Sequence, residues 1–574
     1  MLSASGGQLD ILWRRTSIWL PVKLSKHYVH SSKGTLLSIG CICVVRLCKF
    51  PSNPNGLLMS NKASNSLSEL IKSLNKSEKR YFKVFSSRHT IGEENGYITL
   101  FDYIDKMENY DEEILFKDFN GQSLLNKFSI TKARLYTNIL KSLDSFHSSA
   151  SVDAQIFRQI HSAEILFNKG LYSQAEKILS SVEKQAQKHE RFHLLLEIRH
   201  RQKMLLENML YTDVSKEQIE NLFAEEKNLL NEIERYNEVW HLKSLLFQEI
   251  NKTGKIRDEK SVLKLKELAD KLDGTNIKKS SVNSQYLYHH AKSAYYFAVN
   301  DLECSYHHLQ TNCELIDSNE TFLEDKPNVY FSLLTNIIYV ATRLKKYPEA
   351  QIYLAKLKNL AKKGEAQKTL DLDIKYFSSL YSLELFLLCE QGEFKKAEAL
   401  VPQIEEGYRL YGNHINSLRK AYIDFKIAVT YLSLGEFSKS LHWINGILNE
   451  SKIDQKQDIY CFAQLINLIL HFELNNSRFL PYAIHSVKRY FKSRDRIYKF
   501  EELFIKLINQ LSKTENIFDL QEKLIPFEKE LIALQSDPKE HVVFEYFDFL
   551  AWVQSKVRRK PFLEMRSQGL RVGA

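Results

Sequence analysis

Apolar residues recur along most of this chain at the three- and four-residue spacing of a helix face. Leu179 and Val182, Leu354 and Leu357, Val401 and Ile404, and Ile444 and Ile447 are examples. Each pair follows the same kind of short text. The four texts are Gly170-Leu-Tyr-Ser-Gln-Ala175, Lys345-Lys-Tyr-Pro-Glu-Ala350, Gly392-Glu-Phe-Lys-Lys-Ala397 and Gly435-Glu-Phe-Ser-Lys-Ser440. An apolar helix end precedes each. The leading Gly or Lys supplies the left-handed residue that ends the first helix. The aromatic plugs the turn, and the small residue lets the second helix approach the first closely. The pattern predicts helical hairpins.

The turns fall near Gly170, Thr212, Gly254, Asn300, Lys345, Gly392, Gly435, Asn476 and Thr514. Nine hairpins are expected between residues 154 and 535, with helices of about 15–18 residues. The small residue and Gly-x-aromatic-x-x-Ala turn resemble the tetratricopeptide repeat. Three features depart from that family. The Trp-x-x-Leu-Gly opening and the closing Pro are absent, and Ile338 stands at a first-helix position that Ala163, Ser293 and Ala428 keep small. The pitch also exceeds the ~34 residues of the family, so the chain is similar to divergent, long-helix arrays of bacterial regulatory proteins. The resemblance implies an all-α, right-handed α-solenoid of about nine hairpins with a small helical N-terminal domain. A last helix at 536–557 would cap the stack.

The remaining text divides into three parts. Residues 1–58 carry two of the five Trp (Trp13, Trp19) and three of the seven Cys (Cys41, Cys43, Cys48). Their ten-residue apolar run at 36–45 is half a membrane span. We expect Met59 to be the natural start and 1–58 to be a disordered or spurious extension. Residues 59–150 read as short helices at 67–74, 77–86 (Ser77 as N-cap), 97–107, 111–116 and 131–146, with Asn120-Gly121 as a turn. On the last of these, Leu135, Ile139, Leu140 and Leu143 would face inward and Lys132, Arg134 and Lys141 outward. A basic helix of this kind admits a DNA-reading role, but Asp144 offsets it and a solvated face explains it as well. Residues 558–574 read as a basic disordered tail.

Composition narrows the classes. With 19 Gly and 10 Pro in 574 residues, the chain lacks the turn residues of an all-β fold. The formal charge of +10 belongs to the two ends: residues 1–58 hold seven Lys/Arg against Asp10, and 556–574 hold six against Glu564. The body between is nearly neutral and has no global field for phosphate backbones, which disfavours nucleic acid as partner. Four scattered body cysteines (Cys304, Cys313, Cys389, Cys461) make no disulfide framework and fit a cytoplasmic protein.

Catalytic texts are missing. No phosphate-cradling Gly-rich loop, H-E-x-x-H or G-x-S-x-G occurs. The nearest metal constellation is His289, His290, Cys304, His307, His308 and Cys313 in one hairpin. A turn at Asn300 would set His289 and His290 level with 310–313 and away from His307 and His308, so packing histidines are expected, with no metal or cofactor.

The repeat's geometry, carried onto this sequence, puts the first helix of each hairpin on an inner groove. Groove positions become His290, Phe297, Ser332, Thr335, Tyr339, Arg343, Ser382, Phe386, Tyr422 and Phe425. Small polar residues among aromatics suit a helix or extended peptide. The carboxylate clamp of some family members is unmatched, since Asn336 lacks its Lys and Arg companions. The expectation is a non-enzymatic protein- or peptide-binding scaffold of unspecified oligomeric state. The alternative is a transcriptional or signalling regulator with a peptide-sensing array and an N-terminal effector domain.

Overall fold

The computed structural model describes residues 65–572 apart from 88–95, 109, 113, 116–127, 149–150, 213, 254–258, 276, 278–279, 364–369, 451–457, 494–497, 514–516, 536 and 538–539. The expectations for residues 1–58, Asn120-Gly121, Gly254 and Thr514 lie outside the described residues. Among the described residues the protein is helical with no strand, and its helices pack in neighbouring pairs. No helix among them is long and apolar enough to cross a membrane. They form two compact units, one up to Phe223 and one from Ala224.

The first unit opens with α1 (Ser66–Ser73), α2 (Lys76–Ser87), α3 (Gly96–Lys106) and α4 (Phe128–Phe146) around Ile71, Phe82, Phe101, Ile104, Leu135 and Ile139. Asn75, and not Ser77, caps α2: its Oδ1 accepts from Glu78 N at 2.9 Å while Glu78 Oε2 accepts from Asn75 N at 2.8 Å. That reciprocal pair is a capping box two residues earlier than the Ser77 reading. On α4, Leu140 points to solvent rather than inward. Lys132 is ion-paired with Glu112 and lies over the Phe128 ring, so one charge of that basic face is already engaged. Three antiparallel helices follow, α5 (Val152–Asn168), α6 (Tyr172–Lys188) and α7 (Phe192–Asn208).

From Lys216 the sequence-based spacing breaks. Two helices of ordinary length were expected between the turns at 212 and 254; a single 38-residue helix, α8 (Lys216–Thr253), stands there. Its sequence contains neither Gly nor Pro, so nothing interrupts the hydrogen-bond ladder. The second unit continues with α9 (Glu259–Asp273), α10 (Val282–Ala298), α11 (Leu302–Asp317), α12 (Glu320–Asp325), α13 (Pro327–Arg343), α14 (Tyr347–Lys363) and α15 (Leu370–Gln391). The helix after α15 is split into α16 (Phe394–Glu398) and α17 (Val401–Tyr411). Pro402 accounts for the break, because it has no N–H to donate and its ring meets the carbonyl four residues earlier. Then come α18 (Ser417–Ser433), α19 (Phe437–Leu448), α20 (Asp458–Glu473), α21 (Leu480–Lys492), α22 (Lys499–Leu511) and α23 (Ile517–Gln535).

The turn chemistry repeats with little variation. Gly170, Gly392 and Gly435 have φ of +73°, +76° and +79°. In each case the next residue's N–H reaches the carbonyl five residues back (Leu171 to Leu166, Glu393 to Leu388, Glu436 to Tyr431), the six-to-one bond of a Schellman stop. Asn300, Lys345 and Asn475 make the same turn without Gly. The left-handed residue is thus Asn475 in place of Asn476, and Leu210 and Tyr211 in place of Thr212. Twelve residues separate the paired small positions of a hairpin. Ser305 Oγ donates to Ser293 O at 2.9 Å, and Ser440 Oγ donates to Ala428 O at 2.7 Å. Across a 12-residue gap these bonds set one helix–helix register in two hairpins.

Candidate functional site

First helices pack on first helices. Within the second unit α13 lies against α15, α15 against α18, and α18 against α20, forming an inner layer behind which the second helices stand. Aromatic rings run along this layer. Phe297 of α10 meets Tyr339 of α13 edge-on at 6.1 Å, and Tyr339 stacks on Phe386 of α15 at 5.2 Å. The Lys426 ammonium of α18 then sits between the Phe386 and Tyr422 rings at 5.2 and 5.8 Å from their centroids. Phe425 of α18 shares a core with residues of α20. Residues separated by about 130 positions in sequence are thereby brought into one row.

That row is not an open groove. His290, Thr335, Ser382, Phe386, Tyr422 and Phe425 are buried. His290 is sandwiched between Phe247 and Tyr286 at 5.1 and 5.6 Å, so it belongs to the packing of α8 on α10. The hydroxyls of Ser332, Thr335 and Ser382 donate to carbonyls of their own helices. Phe297, Ser332, Tyr339 and Arg343 keep partial exposure.

What covers the layer is the chain's own C-terminal segment. A short 3₁₀ turn (His541–Glu545) leads to α24 (Phe549–Arg558) and α25 (Phe562–Val572). Glu545 lies between the two guanidinium nitrogens of Arg343, with Nη2–Oε1 and Nη1–Oε2 both 2.9 Å, a bidentate fork. Tyr546 stacks on Phe462 of α20 at 4.0 Å and meets Phe425 edge-on at 6.1 Å. Trp552 Nε1 donates to Glu473 Oε1 at 2.7 Å, and Lys556 ion-pairs with the same carboxylate. The single capping helix expected at 536–557 is therefore a 3₁₀ turn and a helix that reach back over α13–α20. Residues 562–572, expected to be a disordered tail, are helical: Met565 is buried, Phe562 stacks on Phe547 at 5.4 Å, and Arg566 lies over Phe394.

Sequence reasoning missed Lys426, Glu390, Glu545, Tyr546, Asp548 and Arg566. One signal was available. The text Ala421-Tyr-Ile-Asp-Phe-Lys-Ile-Ala-Val is apolar around the whole helix except for Asp424 and Lys426, and a charge there must be buried. Asp424 is satisfied by Lys420 at 2.6 Å and Tyr408 at 2.7 Å, although burial raises its pKa. Lys426 has no such arrangement, and burial lowers its pKa.

The histidine hairpin also differs from its expected register. His289 Nδ1 lies 2.9 Å from His308 Nδ1. The Ser305–Ser293 and Asn312–Tyr286 bonds put the hairpin's mirror at Val299 rather than Asn300, which brings His308 within reach of His289. Two imidazoles in contact hold one shared proton comfortably and a second one poorly. Burial pushes His289 and His308 down to about 4. Among the described residues no three His, Cys, Asp or Glu side chains converge as metal ligands would.

No family model matches the chain. No curated protein matches it either. Among solved structures it is similar to NprR in complex with its cognate peptide NprX, at 14% sequence identity and a TM-score of 0.34, over 62% of this chain and 99% of that one.

Proposed function

We propose that the protein is a non-enzymatic scaffold that holds a protein or peptide partner on the inner helix layer of its hairpin array. The observation that supports this reading is how that layer treats a peptide segment. Residues 541–548 of the same chain lie on it through one bidentate ion pair and a stacked ring, side-chain contacts of the type that peptide recognition uses. The covered part is spoken for. A partner would therefore meet the partly exposed end of the aromatic row, at Phe297, Ser332 and Tyr339. Polar groups around the row are tied into helix carbonyls and ion pairs, which agrees with a binding rather than a catalytic role.

The test is site-specific photocrosslinking in the native cell. A benzoyl-phenylalanine at Phe297 replaces one aromatic ring by another, and the same group at the exposed Gln351 of α14 samples the outer layer. A discrete adduct from position 297 that is missing from 351 is the expected result. Equal adduct patterns, or none from 297, would refute the reading. Arg343 is a poor probe, since its loss also releases Glu545.

A further inference from the structure

Between α15, α18 and the C-terminal helices lies a cavity of about 640 Å³. Volumes of ~300–1,000 Å³ are those in which proteins hold small organic ligands. Seven of its seventeen lining residues are charged, and three of these are engaged as follows. Glu545 is held by Arg343, Arg558 by Glu528 at 2.8 Å, and Asp548 caps α24 by accepting from Ala551 N at 2.8 Å. Burial raises the Asp548 pKa, so that carboxyl is a weakened anion. Two cations bond to no carboxylate among the described residues. Lys426 is 2% exposed and its ammonium forms neither a hydrogen bond nor an ion pair among the described residues; ring faces flank it, and Glu390 acts on its charge only through space. The Arg566 guanidinium rests on the Phe394 ring, 5.1 Å from the centroid, and likewise pairs with no carboxylate among them. Lys345 and Glu390 also line the cavity, and the Glu390 carboxylate offsets part of the Lys426 charge.

We propose that this cavity is a binding site for a small organic anion, a carboxylate or a phosphate ester, whose charge sits against the Lys426 ammonium and the Arg566 guanidinium. An ammonium to which no carboxylate is bonded is costly to bury, and truncated solvation is the condition under which an entering anion gains most. Glu390 shares the cavity, so a ligand that also carries a hydroxyl donor satisfies it. Aromatic and apolar walls from Phe544, Tyr546, Phe547 and Val429 would pack the ligand's carbon frame. The site is distinct from the partner surface proposed above and does not rest on that reading.

The experiment uses the full chain with citrate and glycerol 3-phosphate as probes, in buffers matched in ionic strength with potassium chloride. Calorimetric titration and thermal midpoints are read together. At least one probe is expected to bind saturably and to raise the midpoint. Citrate alone identifies a carboxylate ligand, and glycerol 3-phosphate alone identifies a phosphate ester. Lys426→Met is expected to abolish binding while the unliganded protein keeps its cooperative thermal transition, because the side chain it replaces makes no hydrogen bond or ion pair among the described residues. Arg566→Gln, at a partly exposed position, weakens binding about tenfold. The proposal is overturned if neither probe acts beyond the chloride control, or if both variants bind as the wild type does.

Discussion

At the scale of single residues, two glycines carry opposite expectations. Gly407 of α17 has no turn to make; a Cβ there would lie 2.0 Å from Phe377 Cε2, so the ring of α15 occupies the space a side chain would need. Gly407→Ala overpacks this contact and should cost about 1–3 kcal/mol. Gly446 lies inside α19 with nothing within 4 Å of such a Cβ, so Gly446→Ala should gain up to about 1 kcal/mol from helix propensity. Urea unfolding of the two variants reads both, and equal shifts would contradict the packing described. Histidine supplies a second expectation. His289 and His308 are lowered to about 4 and His290 to about 3, in each case chiefly by burial. The unfolded chain therefore binds more protons below about pH 6.5. Stability that is complete above that pH is lost as the pH falls through 4. His290 Nε2 is also a buried nitrogen without a hydrogen-bond partner among the described residues, on a ring stacked between two others. His290→Phe should keep or raise the urea midpoint at pH 7.5 and flatten its fall toward pH 5. An unchanged pH slope would count against the buried neutral imidazole.

At the scale of elements, local chemistry is what a sequence displays. Gly170, Gly392 and Gly435 announce their turns because only the backbone conformation of one residue is at issue. The alternation of small and large residues across a hairpin is equally local, and the Ser440–Ala428 bond shows the register it sets. Two kinds of feature stay hidden. One is the continuous α8, where the absence of a stop signal had to be weighed against a regular pitch. The other is every pairing made by elements far apart in the chain: Arg343 and Glu545 are 202 residues apart, and neither neighbourhood names the other. Hence first-helix aromatics such as Phe297, Tyr339 and Phe386 are legible as candidates in the sequence, but the segment that covers their row is not. The Arg343–Glu545 fork can be isolated by a double-mutant cycle. Its side chains are about one-fifth exposed, so the expected coupling between Arg343→Ala and Glu545→Ala is about 1–3 kcal/mol. A coupling near zero would mean that the fork does not hold the segment.

At the scale of the whole molecule, the question is whether residues 537–572 are a removable occupant of the inner layer or part of the body. Burial argues for the second. Tyr546, Phe547, Phe549 and Trp552 are all at most 6% exposed and share one core with Phe462, Phe500 and Phe504. Replacing a single buried Phe or Trp by Ala costs about 3–5 kcal/mol, while an entire domain is stable by about 5–15. Losing four such rings exceeds what α18–α23 can absorb. Repeat arrays, however, transmit stability mainly between neighbours. The core formed by α8–α15, built on Leu246, Phe331, Ile337 and Leu357, has its own contacts. A chain ended at residue 535 should therefore lose amide hydrogen-exchange protection throughout α18–α23 while keeping it in α10–α14. If protection in α18–α23 survives and the thermal midpoint stays within a few degrees of the full chain, the segment is an occupant. The inner layer would then be open to a competing peptide over its whole length.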